Sequence, residues 1–204
     1  LRLDFHHPSE FVNPNISRLR FFGAGQDSSG VPALIDIGMS VVILDQGAQS
    51  ANGIRYQLAH AYAEGNWNTR WMTSSNAAAD PRLGIGYAKA SAILDTPVVW
   101  HGELLDEGSR LIRTTYYGDS DLDGDVDFAD LLRVAQNYGM VETLDTGFWW
   151  QGDFNYDGNV DFEDLLTVAQ QYGLNELGAS NAADFVQSPT GSFESDWMFA
   201  RSMV

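Results

Sequence analysis

Regularly spaced carboxylates in two short stretches of the chain have the arrangement that a hard metal cation requires. A twelve-residue calcium loop supplies oxygen ligands from positions 1, 3, 5, 7, 9 and 12, with glycine at position 6 for the sharp turn. Residues 119–130 (loop 1) and 153–164 (loop 2) both follow this pattern, with Gly124 and Gly158 at the turn. The spacing therefore predicts that the chain binds two calcium ions.

Every ligand position of the two loops carries an oxygen donor. Position 7 is expected to contribute its backbone carbonyl and the other positions their side chains. Acidic turns without an ion would crowd carboxylates together with nothing to relieve their repulsion. The predicted ligands are Asp119, Asp121, Asp123, Asp125 (carbonyl), Asp127 and Asp130 in loop 1, and Asp153, Asn155, Asp157, Asn159 (carbonyl), Asp161 and Asp164 in loop 2.

The loops belong to an internal repeat. Residues 118–140 and 152–174 match without a gap at 15 of 23 positions, at an offset of 34 residues. After each loop, apolar residues recur at helical spacing and a glycine follows, which predicts two exit helices packed antiparallel across a pseudo-twofold axis. A short backbone pairing between the loops is expected at position 8, occupied by Val126 and Val160. Trp149 and Trp150 are expected to pack beneath the pair.

The charge of the chain limits the classes of partner. Its net charge is −17, from 28 acidic and 11 basic residues. Between positions 119 and 173 there are thirteen acids and one base, Arg133. Nucleic acid and anionic membranes need a basic surface, so neither is expected as a partner.

The chain lacks cysteine, which excludes disulfides and thiolate metal sites. No segment approaches the ~20 apolar residues of a membrane span. No basic-then-apolar signal peptide opens the chain, so a secretion signal, if one existed, is expected to have been removed.

The residues before the repeat differ in character. Segments 34–44 and 110–117 are rich in β-branched and aromatic residues and predict strands, whereas 54–64 predicts an amphipathic helix and 74–80 a short one. The predicted fold class is α+β: a mainly β body with one or two helices, then an all-α pair of calcium loop-helix (F-hand) motifs. The expected organisation is an extended arm or long loop (1–30), a β-rich α+β domain (31–117), the calcium-binding domain (118–174) and a tail (175–204).

No catalytic constellation is recognisable in the sequence. The four histidines are scattered without an HExxH pair, and there is no G-x-S-x-G elbow. The glycines of 84–90 are expected in a strand or turn rather than in a phosphate loop. A pair of glycosidase-type carboxylates is recognised only in space, so a polysaccharide-active enzyme carrying a calcium-binding appendage stays an alternative. The sequence favours a chain that is not an enzyme.

The paired G-D-x-[ND]-x-D-G-x-V-x-x-x-D loops of residues 118–174 resemble type I dockerin modules of secreted bacterial proteins. The flanking segments are similar to a region of large exported proteins from planctomycete-type bacteria. The resemblance implies an extracellular or cell-surface location, two Ca²⁺ ions and folding that depends on calcium, so that chelation would melt residues 118–174 first. In cellulosomal dockerins it also implies docking to a cohesin partner.

Two non-enzymatic functions follow from these observations. In the first, the calcium-stapled chain self-associates into a surface layer or filament. In the second, the dockerin-like module docks onto a cohesin-like receptor. Cellulosomal dockerins often carry a Ser-Thr pair at loop positions 10 and 11, where this chain has Phe128–Ala129 and Phe162–Glu163. This difference favours self-association.

Overall fold

The structure is a computed structural model of the chain. It describes residues 4–6, 18–20, 35–44, 50–67, 72–100, 103–143, 146–175 and 192–204. No helix within these ranges has the length and apolar character that a membrane span needs. The strands are β1 (Asp4–His6), β2 (Arg18–Arg20), β3 (Ile35–Asp36), β4 (Val41–Leu44), β5 (Met72–Thr73), β6 (Leu83–Lys89), β7 (Val98–Trp100), β8 (Glu103–Leu105) and β9 (Arg110–Tyr116).

Three of these strands form the central sheet. Its order is β4-β9-β6 and both pairings are antiparallel, with Ile112 of β9 opposite Val42 of β4 and Tyr87 of β6. All four β4 side chains are buried, because this strand is apolar throughout. The other described pairs are antiparallel β1-β2, parallel β3-β5 and antiparallel β7-β8. Strand β9 is therefore the central strand of this sheet, and loop 1 follows it directly.

Within the described residues, six α-helices lie between and after the strands. Each of α1, α2 and α6 begins at a serine whose side chain accepts a backbone N–H of the first turn, as an N-cap residue should. Helix α1 buries Ile54, Leu58 and Ala61 along one face, at the spacing of an amphipathic helix. The helices are α1 (Ala51–Tyr62), α2 (Ser75–Ala79), α3 (Ala90–Ile93), α4 (Phe128–Asn137), α5 (Phe162–Gln171) and α6 (Phe193–Ser202), and 3₁₀ turns occupy Ala63–Gly65 and Trp149–Gln151.

The predicted fold class is wrong. The protein is mixed α/β: α1, α2 and α3 lie among the strands, and the C-terminal region is not an all-α pair of EF-hand-like motifs. Helix α4 packs more extensively on α6 than on α5. The physical reason is the apolar surface of the loops themselves. Leu122, Phe154 and Tyr156 are buried in the same cluster as the sheet residues, so the sheet contributes to covering them.

The close approach of the loops to the sheet explains the glycines of β6. A Cβ added at Gly86 would lie 2.5 Å from Leu122 Cδ2 and 2.8 Å from Trp149 Nε1. A Cβ at Gly84 would lie 2.7 Å from Tyr117 Cε1. Both glycines lie in the strand, as expected. Their missing side chains leave the space into which loop 1 and Trp149 pack.

Several local predictions are confirmed, whereas others fall outside the described residues. The strand predicted at 110–117 is β9, the helices predicted at 54–64 and 74–80 are α1 and α2, and both loops are followed by helices. The segment 34–44 holds two short strands, β3 and β4, with a turn between them. Of the predicted arm 1–30, only 4–6 and 18–20 are described, as the β1-β2 pair, and residues 176–191 of the tail also lie outside the description.

Candidate metal centre

Each loop begins directly after an element of the core and turns at its predicted glycine. Loop 1 follows β9, and loop 2 follows the 3₁₀ turn at 149–151. Gly124 and Gly158 have φ angles of +104° and +89°, a left-handed conformation that side-chain-bearing residues rarely adopt. Their N–H groups donate to Asp119 Oδ2 at 3.0 Å and to Asp153 Oδ2 at 3.1 Å. The first carboxylate of each loop is thereby fixed by the turn at position 6.

The last two ligand positions start the exit helices. Asp127 Oδ1 accepts the Ala129 N–H at 2.7 Å, and Asp130 Oδ2 accepts the Asp127 N–H at 2.9 Å. Asp161 and Asp164 form the same capping box at the start of α5. Such a box satisfies N–H groups that have no partner inside the helix. These four carboxylates therefore have a structural role whether or not an ion is present.

The six acids of loop 1 converge in two groups of three. Within each group one ligand atom per residue lies within 4.8 Å of the others. The Asp125 side chain joins the second group, whereas the sequence predicted its carbonyl as the donor. The groups are Asp119, Asp121 and Asp123, and Asp125, Asp127 and Asp130.

Loop 2 has the same order of positions with fewer charges. Asn155 Oδ1 accepts the Asp157 N–H at 3.0 Å, and Asp157 Oδ1 accepts the Asn159 N–H at 2.7 Å. Asp161 Oδ1 accepts the Glu163 N–H at 2.8 Å. Among the described residues, no three acids of loop 2 come as close together as those of loop 1. The amide oxygens of its two asparagines take the place of two carboxylates.

Buried carboxylate oxygens that lack hydrogen-bond partners are the feature most typical of a cation site. Asp119 and Asp153 are fully buried, and the Oδ1 atom of each accepts no hydrogen bond within the described structure. Oδ1 of Asp121 and of Asp125 is in the same condition. Burial of a carboxylate without a partner costs on the order of several kcal/mol, as it does for other unpaired charges. A cation would satisfy these four oxygens.

Burial and mutual repulsion perturb the acids of both loops. Loss of water raises the pKa of Asp119 well above its ordinary value, and the Asp121 charge adds to the effect. Desolvation and the charge of Asp123 raise the pKa of Asp125 to about 8. Desolvation and Asp164 raise the pKa of Asp153 to about 8. The loops thus hold their carboxylates where negative charge is unfavourable unless a cation balances it.

The donor set fits calcium. The loop positions offer carboxylate, amide and carbonyl oxygens, the ligands that a hard cation such as Ca²⁺ prefers, and the chain has no cysteine to favour a softer metal. Each loop carries six oxygen-bearing positions, the lower end of the calcium coordination range of about six to eight.

Two supporting residues, Ser120 and Thr115, were not predicted from the sequence, and a third, Trp149, was expected only to pack beneath the repeat pair. Ser120 donates to Asp130 Oδ1 from its backbone N–H at 2.7 Å and from its hydroxyl at 2.9 Å. The Thr115 hydroxyl donates to Asp119 Oδ2. Trp149 Nε1 donates to the Asp119 carbonyl at 2.6 Å. Nothing in their spacing distinguishes these residues, because Thr115 belongs to a strand and Trp149 to the segment between the repeats.

The expected backbone pairing at position 8 is replaced by a reciprocal one. Val126 does not pair with Val160. It accepts from Gly173 N at 2.8 Å and donates to the Leu174 carbonyl at 2.9 Å. Val160 likewise accepts from Gly139 N at 2.8 Å and donates to the Met140 carbonyl at 3.0 Å. Each loop is therefore closed by the residues that follow the other loop's helix.

The raised pKa values predict an unusual pH dependence for the calcium-free protein. Asp125 and Asp153 have an ordinary pKa of 3.8 and a folded pKa of about 8. The stability that these two groups contribute to the folded state is fully present below their ordinary pKa and is lost as the pH rises through their folded pKa. We expect the chelated protein to melt at a higher temperature near pH 5 than near pH 8. Thermal melts in chelator test this, with calcium-saturated protein, for which we expect no such loss, as the control.

Comparison with known proteins finds no family model, no curated protein and no solved structure that matches the chain.

Proposed function

We propose that the chain is a non-catalytic, extracellular, calcium-binding structural protein in which two Ca²⁺ ions staple the dockerin-like loops to the body of the fold. The observation that carries this proposal is the pair of buried Oδ1 atoms of Asp119 and Asp153, which have no hydrogen-bond partner among the described residues. They occupy the first ligand position of two loops with the same sequence pattern. A purely structural turn has no use for a buried, unsatisfied carboxylate.

Bound calcium would supply positive charge that relieves repulsion among the loop acids. The chain's own residues would hold it: carboxylates at positions 1, 3, 5, 9 and 12 of loop 1, and four carboxylates and the Asn155 amide at the same positions of loop 2. Binding free energy gained only in the folded state adds to stability. Each loop carries core residues between its ligands. Bound ions would therefore also restrict the motion of the core.

An exposed apolar face on α5 supports a role in self-association. Phe162 and Leu166 are 64% and 43% exposed, one helical turn apart. At the equivalent position of α4, Phe128 is only 6% exposed, because Phe199 and Ala200 of α6 pack on it. The occupant we propose for the α5 face is a second copy of this chain. The α5 face carries acidic Glu163, and α6 ends with the base Arg201, so the α6 end of another copy is complementary in charge.

Sedimentation velocity over a range of concentrations tests this proposal. We expect calcium-dependent oligomers for the unaltered chain and monomers for Leu166→Ser, because the substitution removes the apolar contact. Leu104→Ser is the matched control, since Leu104 is exposed on β8, away from this face. Calorimetry of the same samples should give two calcium ions per chain. A calcium-loaded monomer at every concentration would contradict self-association and favour docking to a different protein.

A further inference from the structure

The two loops differ at position 7, where the general pattern uses only the backbone carbonyl. In loop 1 this residue is Asp125, which is 6% exposed. Its carboxylate lies within 4.8 Å of the ligand atoms of Asp127 and Asp130, and its Oδ1 accepts no hydrogen bond within the described structure. The side chain is therefore a buried carboxyl group directed into the ligand cluster.

The equivalent residue of loop 2 has a different role. Asn159 is neutral, and its Nδ2 donates to Asp157 Oδ1 at 3.1 Å. This hydrogen bond relieves the Asp157 charge without a metal. Position 3 differs in the same sense, because loop 1 has Asp121 and loop 2 has Asn155, which donates to Glu163 Oε2 at 3.3 Å.

We propose that the loops are two unequal cation sites, with loop 1 the tighter one because the Asp125 carboxylate serves as an additional anionic ligand. This inference rests on the proposed function. Calcium loops are tuned by the number of charged ligands and by site rigidity. Loop 1 places six carboxylates at its ligand positions, against four in loop 2.

The bases near loop 1 reduce this difference without cancelling it. Arg133 Nε lies 4.0 Å from Asp121 Oδ2, and Arg113 uses its Nη1 to donate to the Leu122 carbonyl at 2.7 Å. Neither approaches Asp125 among the described contacts. Electrostatic attraction falls with distance, so ligands in direct contact with the ion outweigh bases behind them. The extra charge should favour a trivalent ion even more than calcium.

Titration of the full chain with Ca²⁺ and with Tb³⁺, followed by calorimetry, tests this inference. We expect two steps that differ in Kd by about tenfold or more, in line with tuning by ligand charge. Asp125→Asn should weaken the tighter step about tenfold and leave the weaker step unchanged. Asn159→Asp is the matched reciprocal variant and should tighten the weaker step. The changes in Kd that these two substitutions cause should be larger with Tb³⁺ than with Ca²⁺.

Two single-loop variants assign the steps. Asp119→Asn should weaken the tighter step and Asp153→Asn the weaker one, with circular dichroism in saturating calcium to verify folding. Two equal steps in the unaltered chain, or a tighter step that survives Asp125→Asn unchanged, would overturn this inference and leave the proposed function standing. Absence of calcium binding in any titration would overturn both.

Discussion

Chelation of calcium should destabilise the central sheet together with the two loops, so that both melt in a single cooperative transition at a lower temperature. Loop residues Leu122 and Tyr156 share one buried cluster with Ile85 of β6, and the Tyr156 hydroxyl donates to the Ile85 carbonyl at 2.6 Å. Loop 1 also continues directly from β9, the central strand. A loop that relaxes to separate its carboxylates would therefore expose the core of the sheet. The sequence alone suggested that residues 118–174 melt first, as a separate unit.

The expected size of this effect is large. Each ion stabilises the folded state by about 2.7 kcal/mol when calcium is at a hundredfold excess over its Kd, so two ions contribute about 5 kcal/mol. That is comparable to the lower end of the total stability of a typical domain, about 5–15 kcal/mol. For a chain of this size we expect the melting temperature to fall by about 10–20 °C.

Hydrogen exchange gives the decisive measurement for this prediction. In chelator, amides of β6 and β9 should lose protection to the same extent as those of α4 and α5. Addition of excess calcium should restore protection everywhere, which serves as the control for irreversible damage. Retained protection in β6 and β9 beside exposed loops would contradict the prediction and support local melting instead.

Replacement of Trp149 by alanine should be the most damaging single substitution between the repeats. The side chain is fully buried, and its ring lies 5.1 Å from Phe154 and 5.5 Å from Tyr156, measured between ring centroids. Its Nε1 also holds the Asp119 carbonyl. Truncation of a buried tryptophan typically costs about 3–5 kcal/mol. We therefore expect Trp149→Ala to fold only in calcium and to bind calcium weakly in loop 1.

Two further variants separate packing from hydrogen bonding at this position. Trp149→Phe keeps most of the apolar contact and loses the Nε1 donor. We therefore expect the free energy of unfolding to fall by about 1–2 kcal/mol and loop 1 to bind calcium more weakly. Trp150→Ala is the neighbouring control, because Trp150 is half-buried and stacks on Phe148 at 4.4 Å. Urea denaturation with and without calcium measures all three. Equal costs for Trp149→Ala and Trp150→Ala would contradict this assignment.

The arrangement within each loop could be predicted from the sequence because it depends on residues at most twelve positions apart. The turn at Gly124, its hydrogen bond to Asp119 and the capping box of Asp127 and Asp130 all follow from local spacing. The amphipathic pattern of α1 is local in the same sense. Such features are specified by backbone geometry and side-chain reach, and these are the same wherever the segment lies in the fold.

The prediction of an all-α pair was wrong because it assumed that each exit helix would cover its own loop. Helix α4 buries Phe128 against α6 instead, and α5 leaves Phe162 exposed. Identical residues at equivalent repeat positions thus have different environments. No local pattern distinguishes them, because the difference is made by a helix more than fifty residues away in the sequence.

By itself, the sequence predicted which oxygens would bind calcium and that a helix follows each of the two loops. Only the tertiary structure decided that Thr115 and Trp149 donate hydrogen bonds to Asp119 and that the Asp125 side chain points into the acidic cluster. It also decided that the backbone of Val126 pairs with Gly173 and Leu174, which follow α5. The physical reason is that a chelating loop is a local object, whereas burial of its apolar residues is not. Leu122 and Phe154 must find a surface large enough to cover them, and in this chain that surface is the sheet.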